Sequence, residues 1–330
     1  MKKFVTILLV VVVISLATLS LISCTKEDTT VIKVNEVTHS VFYAPLYVAI
    51  NNGYFEEEGL TIELTNGGGS DKTMTAIMSG QADIGLAGPE TAVYVKAGGS
   101  NNYPVVFGQL TTKDGSFLIG RNKVDNFSWS DLEGKEIIGG RKGGMPQMCL
   151  EYALHKNGLV NGQNITINYD VQFDLIAASF ASGTGDYCTM FEPVATTYQN
   201  AGKGYVQTDV GTEAGEVPYT CFMATKDYVK DNQNTVKAFM RAILKGIDFV
   251  LNNPDESVAK VLLPSFAGTE LHDLTSAVKA YKDIGAFKKS PVMLKEDYNK
   301  LIDILKFSKV LDKDVAFEDI IDNSIVESIQ

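Results

Sequence analysis

A chain of 330 residues with 45% hydrophobic and 21% charged side chains can bury one or two ordinary cores, which excludes a disordered or fibrous polymer. Lysine plus arginine number 29 against 40 aspartates plus glutamates, and the net charge of −11 has the wrong sign for gripping nucleic-acid phosphates. Four cysteines and three histidines form no CxxC pair and no HExxH, so neither a metal nor any other cofactor is implied.

The first segment reads as an address. Lys2 and Lys3 precede an uncharged apolar run over residues 4–22, the n-region and h-region of a secretory signal. A run of that length also nearly spans a bilayer, and its ending decides between the two. Leu21-Ile22-Ser23-Cys24 resembles the bacterial lipobox, in which the cysteine is acylated and becomes the new N-terminus. Residues 1–23 are therefore expected to be a lipoprotein signal peptide, Cys24 the lipidation site and 24–30 a polar tether. The protein is placed at the extracytoplasmic face of the cell membrane, held by its acyl chains. Loss of Lys2 and Lys3 shifts the net charge to −13, so the acidic surface belongs to the exported part. Cys149, Cys188 and Cys221 are odd in number and far apart, and we read them as buried free thiols.

The exported part alternates strands and helices. Val31 to Val37 alternates as a strand, Leu46, Val48, Ile50 and Phe55 mark the next apolar segment, and residues 60–64 form a second strand. Gly67-Gly68-Gly69-Ser70-Asp71 is a turn with cap residues ahead of a helix carrying Met74, Ile77 and Met78. A third strand, 82–86, runs into Gly88-Pro89-Glu90-Thr91 and another helix. The pattern restarts with a strand over 134–139, the turn Gly143-Gly144-Met145-Pro146 and a helix through Leu150 and Leu154. Strands at 165–171 and 186–190 follow, the second ending in Phe191-Glu192-Pro193. From Asn234 to Leu251 apolar residues recur every three or four positions, a long amphipathic helix before Pro254, with more helical periodicity to residue 307. The fold class predicted is α/β, in two lobes with a helical C-terminal end. Ligands of open α/β sheets sit beyond the carboxyl ends of the strands. The loops at 38–47, 66–71, 88–91, 143–146 and 191–193 are therefore expected to form one site.

The run from His39 to Leu60 (HSVFYAPLYVAINNGYFEEEGL) resembles the opening motif of solute-binding proteins of ABC importers. More narrowly it resembles the NMT1/THI5-like group, which serves nitrate, sulfonates, taurine and the pyrimidine precursor of thiamine. Ser79 to Gly85, Asp131 to Lys135, Phe191-Glu192-Pro193 and the late helix before Pro254 fit the same pattern, so the likeness covers essentially the whole exported chain. It implies a two-lobed periplasmic-binding-protein clamshell with crossovers near 118–122 and 219–224. Residues 31–118 and 222–330 would form lobe 1, and 119–221 lobe 2. It also implies ABC permease subunits as partners, a small-molecule solute as ligand, and a monomer.

Ser40, Phe42, Tyr43, Tyr47 and, at the second crossover, Tyr219 are candidate contacts; the aromatic rings are placed to stack on a planar solute or to pack lobe 1. Gly68, Gly69 and Ser70, like Gly143, Gly144 and Met145, read as turns that bare backbone N–H groups to a ligand, or as plain turns. Gly88, Pro89, Glu90 and Thr91, with Phe191 and Glu192, complete the set. Two carboxylates near the ligand favour an amino-bearing planar heterocycle over an oxyanion, unless Arg121, Arg141 or Lys142 intervenes. The alternative reading is therefore nitrate, bicarbonate or a sulfonate. An alternative of another class is an enzyme like the pyrimidine synthases that the resemblance also covers. These need a cysteine-rich iron-linked motif and particular histidines, whereas here the cysteines stand alone and only His39 lies near the site. A binding protein, not an enzyme, is the expectation.

Overall fold

The computed structural model describes residues 29–330; the expected signal segment, Cys24 and the tether up to residue 28 lie outside the described residues. No described helix is long and apolar enough to cross a membrane. β1 (Thr30–Glu36) pairs in parallel with β2 (Leu60–Asn66) and β3 (Ile84–Ala87). The connections run through α1 (Ala44–Asn51) and α2 (Ser70–Met78), the usual crossover geometry of a parallel sheet. α3 (Glu90–Ala97) leads to β4 (Pro104–Thr111), every residue of which is buried.

From there the chain crosses to a second sheet, entered at β5 (Phe117–Gly120). β6 (Glu136–Ile138), α4 (Met145–Lys156), β7 (Thr166–Asn168) and β8 (Tyr187–Met190) follow, then α5 (Val194–Asn200) and β9 (Tyr205–Asp209). The return strand β10 (Thr220–Thr225) inserts antiparallel between β3 and β4. The orders are β2-β1-β3-β10-β4 and β7-β6-β8-β5-β9, two α/β lobes as expected. The segments joining them are 112–116 and 210–219. The first lies a few residues before the expected 118–122, because the apolar run Phe117-Leu118-Ile119-Gly120 is itself paired on both sides, with β8 and β9. The second lies just ahead of the expected 219–224, which β10 occupies. The two joining segments touch where a Cβ on Gly211 would stand 2.2 Å from the Asp114 carbonyl oxygen, so only glycine fits there.

Beyond β10 come the long helix α6 (Gln233–Asn252), α7 (Leu271–Asp283) and α8 (Lys295–Phe307). The apolar stripe of α6 is buried through Val236, Phe239, Ile243, Ile247 and Val250, as its three-and-four spacing predicts. This end is fastened to the first sheet, where Ile321 bridges Val106 and Phe287 bridges Thr111. Cys149, Cys188 and Cys221 are free and buried, on α4, β8 and β10.

Candidate functional site

The carboxyl ends of the parallel strands in both sheets point at one another. Gly69, Ser70 and Asp71 at the start of α2 face Gly140, Arg141 and Gln147 around the start of α4, across a crevice of about 30 Å³. That is far below the few hundred Å³ of a typical ligand pocket. A neighbouring hollow of about 110 Å³ lies between His39 and Ser40 on one side and Asp174, Phe191 and Glu192 on the other.

Glu90 is the most unusual group at this junction. It opens α3, its side chain is 0% exposed, and neither carboxyl oxygen makes a well-aligned hydrogen bond, the backbone N–H groups of Glu90 and Met145 being close but poorly directed. Burial pushes its pKa up to about 7, although the backbone at Glu90 and at Met145 and the charge of Arg141 favour the ionised form. Met145 belongs to the opposite lobe, so Glu90 lies against the first turn of α4. Its neighbours are committed: Thr91 Oγ1 donates to Gly88 O at 2.6 Å, and the Gly88 N–H faces Ser70 Oγ at 3.5 Å. Pro89 caps α3 and Gly144 caps α4.

Gly68 and Gly69 have φ of +73° and +151°, and Gly143 +84°, conformations that require glycine. The expected free N–H groups at 68 and 69 are in use, however. Gly68 donates to Asn66 Oδ1 at 2.9 Å and Gly69 to Val37 O at 2.9 Å. The turn therefore shapes the wall of the crevice through Ser70 and Asp71. Asp71 pairs with Arg141 Nε at 3.5 Å, and Lys72 with Asp174 at 3.4 Å, two ion pairs of opposite polarity spanning the lobes at the rim.

The aromatic candidates lie deeper than an open stacking surface. Phe42 is 0% exposed and its ring lies 5.0–5.7 Å from those of Tyr43, Phe191, Tyr219 and Tyr281. Phe42 and Phe191 come from different lobes, so this cluster sits at the seam. Tyr47 is tied to the buried Glu36, to which its hydroxyl donates, and packs lobe 1. Glu36 in turn meets His39 Nδ1 at 3.0 Å, while His39 Nε2 meets Ser265 O at 2.6 Å. Two acceptors facing both ring nitrogens favour the imidazolium, and the Glu36 bond leads in raising the His39 pKa.

Ser40 and Glu192 form a latch. Ser40 Oγ donates to Glu192 O at 2.6 Å and the Val41 N–H to the same oxygen at 3.3 Å. The Glu192 N–H donates to the Tyr281 hydroxyl at 2.8 Å, and that hydroxyl donates to Gly115 O at 3.1 Å, in the first joining segment. The Glu192 carboxylate is taken by Thr196, accepting its N–H at 2.9 Å and its hydroxyl at 2.8 Å, so the main chain of Glu192 bridges the lobes. Replacing Ser40 by alanine is expected to cost about 1 kcal/mol of closure, seen as roughly fivefold faster solute release in stopped-flow traces. An unchanged release rate removes the latch.

Of the three candidate cations, Arg121, Arg141 and Lys142, Arg141 lines the crevice and the other two do not. Arg121 donates to the carbonyls of Gly185, Phe180 and Thr184, and Lys142 projects over the Tyr169 ring on the outer face. Sequence reasoning missed Gln147, Phe173, Tyr281 and Asp114. Asp114, in the first joining segment, is fully buried, accepts the Ser116 N–H at 2.6 Å through Oδ1 and leaves Oδ2 unpaired. Burial pushes its pKa up to about 7. Of these, Gln147 alone carries a local signal, an amide one residue after the proline that opens α4.

A profile of the family described as "NMT1/THI5 like" matches residues 41–257. YtlA of Bacillus subtilis, provisionally named as a binding protein, is 39% identical over 311 residues, 94% of this chain and 93% of that one. The formylaminopyrimidine-binding protein of Halalkalibacterium halodurans is 26% identical, covering 66% of this chain and 65% of its own. The 4-amino-5-hydroxymethyl-2-methylpyrimidine phosphate synthase of Aspergillus parasiticus is 25% identical over 64% of each. In fold, the alkanesulfonate-binding protein SsuA of Xanthomonas axonopodis superposes with a TM-score of 0.72, at 18% identity, over 89% of this chain and 98% of that one.

Proposed function

Since the chain belongs to the NMT1/THI5-like family, we propose that it is the extracytoplasmic solute-binding component of an ABC importer, taking a small planar, nitrogen-containing solute between its lobes. The observation that carries this reading is Glu90, a buried carboxyl with no well-aligned partner that lies behind the crevice, against the first turn of α4 in the opposite lobe. A buried unpaired carboxyl costs free energy in the closed protein, and a ligand N–H relieves that cost. An oxyanion would set lone pairs against the ionised form of this carboxyl, with Arg141 already engaged by Asp71. The name of the formylaminopyrimidine-binding relative supports the same choice of solute class.

The mechanism is capture by closure. Apart, the lobes expose Glu90, Gln147 and the glycine turns; a solute touching both lobes favours the closed form by its differential affinity. The permease subunits then receive the closed, loaded protein. Residues 31–118 with 222–330, and 119–221, are the two halves of the clamp, displaced a few residues by the joining segments described above. Cys24 would carry the lipid that keeps the monomer at the membrane, and a Cys24→Ser chain that still partitions into detergent argues against that anchor.

A thermal-shift screen of thiamine precursors, riboflavin, nitrate, bicarbonate, taurine and alkanesulfonates tests the function. An aminopyrimidine at 100 times its Kd stabilises by about 2.7 kcal/mol. A shift from nitrate or a sulfonate alone contradicts the choice of solute, and no shift from any small solute contradicts the function.

A further inference from the structure

Gln147 stands on the first turn of α4, is 1% exposed and lines the crevice. Its Oε1 accepts the Gly143 N–H at 2.7 Å, and the positive φ of Gly143 holds that N–H in place. Flipping the amide would set its NH₂ against this donor, so the turn dictates which end points inward. The inward end, Nε2, is buried and has no partner. Glu90, from the other lobe, lies against the backbone of Met145, two residues before Gln147, and neither of its oxygens makes a well-aligned hydrogen bond. The junction thus presents one orphaned donor group and one orphaned carboxyl, contributed by opposite lobes. Each is costly to bury alone, and only a solute with the complementary pattern satisfies both.

We infer that Gln147 is a specificity-determining residue: its side-chain N–H reads a lone pair on the solute while Glu90 takes an adjacent N–H. An amino group flanking a ring nitrogen carries this pair of functions side by side. An oxyanion offers lone pairs to both residues and is opposed at Glu90 once that acid is ionised. The inference rests on the planar-heterocycle reading above and adds the residue that enforces it.

Calorimetry on the full chain with two ring probes tests it. 4-Amino-2-methylpyrimidine has the amino group beside a ring nitrogen; 3-methylaniline has the same outline without ring nitrogens. The chain is expected to bind the pyrimidine at least about tenfold more tightly. Gln147→Leu, which deletes the donor, should reduce that preference to less than about threefold. Gln147→Glu keeps an acceptor for the Gly143 N–H, protects the fold of the turn and should do the same, so it decides the question if the leucine variant fails to fold. A folded variant that keeps the tenfold preference overturns the assignment. Equal binding of both probes by the unaltered chain overturns it while leaving the proposed function standing; binding of neither overturns the heterocycle reading and this inference together.

Discussion

Replacing Glu90 by leucine is expected to raise the melting temperature of the protein while reducing solute affinity by up to about a hundredfold. The two effects have one cause. In the closed protein the carboxyl is fully buried, holds a pKa of about 7 and has neither oxygen in a well-aligned hydrogen bond. Leucine fills the site at little change in volume and removes a desolvation cost of roughly 1–3 kcal/mol. A solute hydrogen bond to a charged or polarised group contributes about 1.5–3 kcal/mol, so loss of the Glu90 bond removes up to about two decades of affinity. Calorimetry for affinity and a thermal melt for stability check both arms. A leucine variant that binds normally, or that melts several degrees lower, shows that Glu90 is a structural carboxyl with partners of its own.

Stability is expected to fall between pH 5.5 and pH 8, by on the order of 2 kcal/mol for each of two buried acids. Glu90 rises from an ordinary 4.5 to about 7 and Asp114 from 3.8 to about 7, both chiefly through burial. A raised acid keeps its proton in the folded chain over a range where the unfolded chain has lost it. Its stabilisation is therefore complete below about pH 4 and is lost as pH climbs through 7. Glu36 and Glu192, raised by burial, and His39, raised first by its bond to Glu36, act in the same direction. Glu58 shifts down because Arg241 and Lys245 outweigh its burial, and its effect falls below pH 4.5, outside this window. Urea unfolding at the two pH values measures the difference. The Glu90→Gln/Asp114→Asn double variant should remove most of it, leaving the smaller slope of Glu36, Glu192 and His39, and stability that rises with pH in the unaltered chain contradicts the assignment of these two acids.

The sequence makes the first lobe legible because its strands obey local rules. Val31 to Val37 alternates and becomes β1, Leu60 to Leu64 becomes β2, and the turns at 67–71 and 143–146 do open helices, though Gly69 caps the first in place of the expected Ser70 or Asp71, with no side-chain bond. β4 and β10 escape such reading: Pro104–Thr111 is buried along its whole length, so it has no polar face to set a period, and β10 is placed by a partner more than a hundred residues away. The site divides in the same way. Glu90 and the turns at 69–70 and 143–144 are visible from their positions after strands. Phe42 and Tyr43 look like free stacking faces in one dimension, yet the fold closes further rings around Phe42. Whether the Glu192 carboxylate faces a ligand or its own helix depends on Thr196 one turn later, a capping choice settled only by geometry. Gln147 and Asp114 draw their meaning from orphaned atoms, which exist only once distant segments have met.

A crystal structure of the chain grown with 4-amino-2-methylpyrimidine puts the whole account at stake. It should show the ring held between the lobes, with its amino group within about 3 Å of Glu90 and a ring nitrogen at the same distance from Gln147. A ring bound to one lobe alone, or on an outer face with Glu90 still unpaired, would contradict it.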